Sequence, residues 1–444
     1  MSLKDKASLI FKPSRYKSGK AYSFRGEDFT FTRSSVATRI NSAGNIEEVA
    51  SGVPRLNYDP NDLTKCPSIL LEQSRTNLID YSEDLNSTPY KSRLIISENA
   101  TKSPEGLQNA DKIIATNVSG SHALDYVPIV VATDYSMSIY AKAGEISKFV
   151  LLTNNRGSNV ARGFDLRSGT TFTNDLGYGE PTSYSIKEVG NDWYYCTIQF
   201  TKTSSGTAGM GVYLTDSNGA YSFVGNDVDG MYFWGWQLEE GSYPTSLIKT
   251  NGSSATRAID LARKTSASSV IGQSEGTIYV EFEYTGVKEH YSPLFSLQGV
   301  GSPMELIEIY SGPNGTTYSA VMQDGGVTQL NPAFTPSIGK NKVAFAYATN
   351  NSVLVVNGVV IGSVDTACTI PTLYDIGLGS FTYSSSYSLG DSINEALLFK
   401  QRLSAEELAS LTSFDTYEEL VEAKDLTWES PTITNNRLTA LKEL

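Results

Sequence analysis

Asp229-Gly-Met-Tyr-Phe-Trp-Gly-Trp-Gln-Leu-Glu-Glu-Gly-Ser-Tyr-Pro-Thr-Ser, residues 229–246, decides how this chain divides. Residues 231–238 carry two of the four tryptophans, together with a Met, a Tyr, a Phe and a Leu. At a period of two, Tyr232, Trp234, Trp236 and Leu238 share one face, and Met231, Phe233, Gly235 and Gln237 share the other. Both faces are largely apolar, which predicts an interior strand of a packed sheet. Glu239, Glu240, Gly241 and Pro244 end it, and a Ser/Thr/Gly/Asn run over 251–256 reads as a connector. One β module is completed here and another begins.

A length of 444 residues favours two to four domains. Tyrosine-rich, Gly- and Ser-punctuated, lightly charged sequence suits β-sandwiches better than helical bundles. With 35 basic and 48 acidic side chains the net charge is −13. No basic stripe is long enough for nucleic acid, and the acidic balance disfavours anionic partners. Cys66, Cys196 and Cys368 are too scattered for a disulfide framework or a zinc site. The first ten residues lack the apolar core of a signal peptide, and no apolar run approaches about 18 residues, so membrane insertion is not expected. A chain folded in a reducing cytosol is the expectation.

Outward from residue 229 the pattern is strand after strand. Residues 1–80 read as a lead-in or attachment segment, with a strand at Asp28-Phe-Thr-Phe-Thr-Arg, a turn at Asn41-Ser-Ala-Gly-Asn and a buried run at Ile69-Leu-Leu. Lys12, Arg15, Lys17, Lys20, Arg25, Arg33 and Arg39 gather here; a solvated face is the first reading and an acidic docking surface the second. Residues 81–250 hold many short strands with turn signals and no helices between them, which predicts a sandwich or jelly roll. After a linker over 251–274, residues 275–412 alternate again, as in Gly276-Thr-Ile-Tyr-Val-Glu-Phe-Glu-Tyr. Asn357-Gly358 is a type I′ hairpin signal, and Ser404-Ala-Glu-Glu-Leu is a capping box. Residues 413–444 read as a helical and extended tail, with a cap at Thr416 and with Trp428 as an anchor into a groove of this chain or a neighbour.

A series of short motifs carries a resemblance. Ser34-Ser-Val-Ala-Thr-Arg, Pro54-Arg-Leu-Asn-Tyr, Leu70-Leu-Glu-Gln-Ser-Arg-Thr-Asn-Leu-Ile, Tyr81-Ser-Glu-Asp, Ser103-Pro-Glu-Gly and Ala110-Asp-Lys-Ile come first. Tyr140-Ala-Lys-Ala-Gly, Phe164-Asp-Leu-Arg-Ser-Gly, Asn191-Asp-Trp-Tyr-Tyr-Cys, Trp234-Gly-Trp-Gln-Leu-Glu and Ala255-Thr-Arg-Ala-Ile-Asp follow in order. Over residues 28–260 this series resembles a carbohydrate-binding-module-like domain of bacteriophage tail-fibre and head-fibre proteins. It implies a β-sandwich in a virion component and identifies no ligand. Over residues 275–412 the order of an Asn-Gly hairpin, an apolar strand and a helix reading Leu403-Ser-Ala-Glu-Glu-Leu resembles the closing part of the concanavalin A-like or laminin-G-like jelly rolls.

Few constellations could carry chemistry. Gly272-Gln-Ser-Glu-Gly276 matches a nucleophile elbow, but a strand follows where a helix is needed, and only His122 and His290 could serve Ser274. Glu281 and Glu283 lie about 7 Å apart on one strand face, the separation of alternate residues, opposite core-facing Val280 and Phe282; both are expected to face solvent. Glu305 and Glu308 fall on opposite faces of their strand. Asp216-Ser-Asn-Gly and Asp227-Val-Asp-Gly look like calcium loops, although turn chemistry explains them, and neither has the bidentate Glu of an EF-hand. Trp193, Trp234 and Trp236 could stack a sugar, yet mid-strand positions favour core packing. Tyr178, Tyr221 and Tyr383 are the better exposed alternatives, with nothing to single one out.

The expected fold is all-β: two tandem β-sandwich (jelly-roll) domains with an extended N-terminal segment and a short helical C-terminal tail. The expected function is that of a structural virion protein of a tailed bacteriophage that binds host-surface carbohydrate. It would have no enzymatic activity and no assigned catalytic, metal, cofactor or sugar-binding residue. No cofactor is expected, calcium being the one ion the loops could accept. Other virion proteins would dock on the N- and C-terminal segments, and the chain would form a homo-oligomer. A decoration protein without glycan ligand and a polysaccharide depolymerase are the alternatives.

Overall fold

The computed structural model describes residues 3–414 except 18–19, 26–28, 155–158, 174–175, 208, 287, 289, 300–303 and 366; the strand counts below are of those residues. The tail expected beyond residue 414, with Thr416 and Trp428, lies outside them. Two β-sandwiches follow one another. The first stacks an eight-stranded on a seven-stranded sheet, and the second stacks a nine-stranded on an eight-stranded sheet. Neighbouring strands run antiparallel. One short helix, Ala405–Thr412, ends the described chain.

The strand Gly230–Glu240 is interior to its sheet, between Gln108–Ala115 and Asp134–Lys142. Its faces differ from strict alternation. Met231, Phe233, Trp236 and Leu238 enter the core between the sheets, whereas Trp234 packs on the outer face with Tyr140, Trp193 and Leu247. Trp234 and Trp236, expected on one face, are on opposite faces. Ser138 faces Gln237 and Tyr140 faces Trp234, so Gly235 and Trp236 together oppose Ile139 alone. That is a β-bulge, and Gly235 adopts it at φ +64°. The extra residue shifts the alternation by one place, which brings Trp236 and Leu238 inward and puts Gln237 and Glu239 on the outer face. Burying Phe233 and Leu238 stabilises by roughly 1.5–3 kcal/mol each. The outer face is not left to solvent: the hairpin Ala37–Ile40/Ile46–Val49 lays Ile40 and Ile46 over it.

The second core gathers Ile278, Val280, Phe282, Ile307, Ile309, Phe345 and Leu354 between its sheets. Asn357 and Gly358 both take positive φ (50° and 81°), as a type I′ turn needs, and join Ser352–Val356 to Val359–Asp365. Ser404 and Glu407 form the expected capping box, and Leu408 and Leu411 pack the helix on the outer face of the nine-stranded sheet against Tyr279 and Val355. All three cysteines are free. Among the described residues no helix is long and apolar enough to cross a membrane.

Strands from 1–80 are built into both sandwiches. Leu9–Lys17 and Ser68–Leu71 pair with Asp391–Phe399, and Thr30–Thr32 pairs with Leu261–Lys264; Arg75–Asn77 pairs with Gly230–Glu240 in the first sandwich. The span 251–274 likewise supplies Ala255–Arg257 to the first sandwich and Leu261–Lys264 to the second. Two passages of the chain between paired strands of the two sandwiches therefore run at 71–75 and at 257–261. The passages lie side by side, with the Asp260 N–H donating to the Glu72 carbonyl at 3.0 Å.

Charged side chains lock these passages. Glu72 accepts from Arg55 (2.6 Å) and Arg257 (2.9 Å), and Asp260 accepts from Arg33 (2.9 Å) and from Arg55. All five residues are buried. Burial alone would raise the Glu72 carboxyl, but Arg257, Arg55 and hydrogen bonds from Ser246 outweigh it and hold it at about 2. Arg33, expected on a solvated face, is corrected to a buried partner of Asp260. Lys12 and Arg39 also meet acidic partners in this chain, Glu395 at 3.0 Å and Glu47 at 2.7 Å.

Two outcomes follow. Ala at Gly235 would place a Cβ 2.9 Å from Tyr140 Cδ2 in a left-handed conformation; denaturant unfolding of Gly235→Ala should show a loss of about 1–3 kcal/mol. Glu72→Gln leaves buried guanidinium groups short of a counter-charge and should cost about 3–5 kcal/mol. Because the folded carboxyl titrates near 2 rather than at its ordinary 4.5, its stabilisation is present above pH 4.5 and fades as pH falls towards 2. The variant should lose that part of the acid dependence.

Candidate functional site

The outer face of the eight-stranded sheet in the second sandwich carries the most distinctive constellation. In the strand Leu306–Ser311, Ile307 and Ile309 point into the core, so Leu306, Glu308 and Tyr310 point out. A loop over 381–387 folds across them, closed at its base by a bridge between Ser380 and Ser388 and tied to Arg263 through the Ser384 carbonyl. Between loop and sheet lies a cavity of about 330 Å³, walled by Tyr291, Tyr310, Phe381, Tyr383 and Tyr387 around Glu308. The rings support one another. Phe381 stacks on Tyr383 at 5.0 Å, and Tyr387 meets Tyr291 edge-on at 5.3 Å.

Glu308 is the unusual member, a carboxyl 2% exposed and without a cationic neighbour among the cavity-lining residues. Burial drives its pKa up to about 8, only partly offset by a 2.6 Å hydrogen bond donated by Ser296. At neutral pH it is mainly protonated, so it can donate as well as accept a hydrogen bond.

A second, polar cavity of about 570 Å³ lies between the sandwiches and shares Tyr387 with the first. One wall comes from residues 73–76 and 240–242, the other from Lys288, His290 and Ser386. His290 donates from Nδ1 to the Tyr291 carbonyl (2.8 Å), which leaves Nε2 to accept from the Tyr243 hydroxyl (2.7 Å). Burial pushes the imidazole down to about 4, so it is neutral. Lys288 pairs with buried Asp391 at 3.2 Å, and Arg75 and Lys288 both lie over the Tyr243 ring, at 4.9 and 4.6 Å.

The residues singled out in the sequence scatter. Ser274 is exposed ahead of the strand Glu275–Tyr284, and the His290 ring meets the Tyr243 hydroxyl, the Tyr291 carbonyl and the Ser292 hydroxyl, so Ser274 is not the serine beside it. His122 is buried against Phe223, bonded to carbonyls of Arg93 and Phe223. Glu281 and Glu283 are half-buried on the face away from the core, and Glu281 meets Tyr279 and Lys340. Asp216 accepts the backbone N–H groups of Asn218 and Ala220 within its turn, and Asp227 accepts the N–H of Asn117 from a distant part of the chain. Among the described residues no group of three His, Cys, Asp or Glu could hold a metal ion. Trp193, Trp234 and Trp236 are buried, and Tyr178 and Tyr221 are half-buried. Tyr383, 47% exposed, stands at the mouth of the aromatic cavity. Glu308 is the residue that the sequence undervalued. Its signal was an acid alternating with Leu and Tyr in an otherwise apolar strand.

Neither a protein-family model nor a curated protein matches this sequence. Solved structures resemble it in part. The CBM40 of a Ruminococcus gnavus IT-sialidase is 19% identical, with 33% of this chain and 87% of that chain covered at a TM-score of 0.28. A leech intramolecular trans-sialidase is 21% identical over 34% of this chain and 25% of that chain, at 0.29. A Trypanosoma rangeli sialidase is 9% identical over 68% and 60%, at 0.28. Likeness at this level gives this chain no ligand and no activity. The expectation of a chain without enzymatic activity is corrected on this finding: enzymes stand among the structures it resembles, and the non-enzyme assignment does not hold.

The Glu308 environment makes a testable statement. Its folded pKa lies above the ordinary 4.5, so its stabilisation is full below pH 4.5 and is lost as pH rises through about 8. Melting temperatures taken at pH 5, 7 and 9 should fall more steeply for the native chain than for Glu308→Gln. Parallel profiles would show an ordinary, solvated carboxyl.

Proposed function

We propose that this chain is a carbohydrate-binding protein whose ligand occupies the aromatic cavity of the second sandwich. The observation that carries the reading is the pairing of tyrosine and phenylalanine rings with a neutral carboxyl. An aromatic face suits the C–H side of a pyranose, and a carboxyl that both donates and accepts suits vicinal hydroxyls. A cavity of about 330 Å³ with few polar groups in an apolar wall has the size and make-up of a small-ligand site.

The finer part of the proposal is a place in the virion of a tailed bacteriophage, where the ligand would be host-surface glycan. Its support is the ordered motif series over 28–260. Single sites of this kind bind weakly, and a homo-oligomer held to other virion proteins would gain strength through many copies. A decoration protein without a glycan ligand is the competing reading.

A glycan array probed with the full chain should give hits that weaken at least tenfold in Tyr383→Ala and persist in Tyr90→Ala, a control at an exposed tyrosine of the first sandwich. Binding that survives loss of Tyr383 would move the site elsewhere, and an empty array would favour the decoration reading. Reducing ends released from the bound glycans would mark a depolymerase.

A further inference from the structure

We infer that the aromatic cavity and the cleft between the sandwiches form one groove, and that its ligand is an uncharged oligosaccharide rather than a single sugar. This inference rests on the carbohydrate-binding reading above and deepens it.

Tyr387 lines both cavities, and the chain neighbours His290 and Tyr291 line one each. The Tyr291–Tyr387 contact at 5.3 Å is therefore the ridge over which a ligand would pass. The two halves differ in chemistry. The aromatic half offers ring faces and one carboxyl. The cleft is lined with hydroxyl, amide and charged groups, including Thr76, Asp134, Glu240, Ser242 and Ser386. Cations and carboxylates both occur there: Arg75 and Lys288 against Asp134 and Glu240. A wall of mixed sign offers donors and acceptors without favouring a net charge. This fits a polyhydroxylated, neutral chain and disfavours an apolar or polyanionic one.

The walls are held apart at a fixed spacing. The Gln73 side chain crosses from the first sandwich to donate to the Ser388 carbonyl (3.0 Å), at the base of the aromatic loop. Tyr243 reaches from the same side to His290. Both contacts are made within the protein itself, so the groove is assembled before a ligand arrives, and affinity should rise with each sugar added along it.

The experiment uses the full chain on an array carrying neutral mono- to hexasaccharides of linked hexose and N-acetylhexosamine, followed by titration with the hits. Glycans of two or more units should bind at least tenfold more tightly than their single sugars. Ser386→Trp and Ser242→Trp, which fill the cleft from opposite walls, should each reduce the longer glycans to the single-sugar level, with an unchanged melting temperature. Hits that depend on Tyr383 but ignore both chain length and the two tryptophans would overturn the groove and leave the single cavity standing. Tighter binding of acidic than of neutral glycans, read from sialylated and uronic-acid members of the array, would overturn the ligand class. An array without hits would overturn both this inference and the reading beneath it.

Discussion

Five buried charges hold the two sandwiches in one arrangement. Arg33, Arg55 and Arg257 surround Glu72 and Asp260 at the place where the chain crosses twice between the sandwiches. Removing such ions from water costs several kcal/mol each, and the arrangement survives only where every carboxylate is bonded repeatedly. Here that condition is met. Glu72 takes two guanidinium groups plus the N–H and hydroxyl of Ser246. Asp260 takes two guanidinium groups and the N–H of Glu72. A hydrophobic isostere could match the stability but not the direction: charge-assisted hydrogen bonds accept one geometry, and so fix one passage against the other.

The candidate site inherits that geometry. Gln73 follows Glu72, its carbonyl accepts from Arg257, and its side chain anchors the loop that walls the aromatic cavity. Arg75, two residues on, stands over Tyr243, which in turn binds His290. The polar cleft and the aromatic cavity are therefore placed by the same residues that join the sandwiches. The spacing of this site is set by the ion pairs and hydrogen bonds that cross the joint.

The motif series over 28–260 acquires a physical meaning from this joint. Arg55, Glu72, Arg257 and Asp260 belong to the short motifs that carry the resemblance. Asn77 of the same series spends its side chain on backbone groups of Trp236, Leu238 and Ile248. These are the polar residues of a buried seam, and that role alone accounts for their presence without any ligand. The ring-lined cavity draws on none of them.

Local chemistry determined the β character, the Asn357-Gly358 hairpin, the capped helix at Ser404 and the interior place of residues 230–240, because each depends on neighbours within a few positions. It did not determine the faces of Trp234 and Trp236. One added residue at Gly235 reverses alternation, and whether a glycine bulges depends on the strand opposite. Nor could it show that Arg33 is buried, or that residues 1–80 and 251–274 supply strands to both sandwiches. Glu308 lies within an ordinary strand pattern and becomes unusual only when a loop some seventy residues later covers it. Only tertiary structure decides such matters, since burial and pairing are set by residues distant in the chain, and no spacing along it records who those neighbours will be.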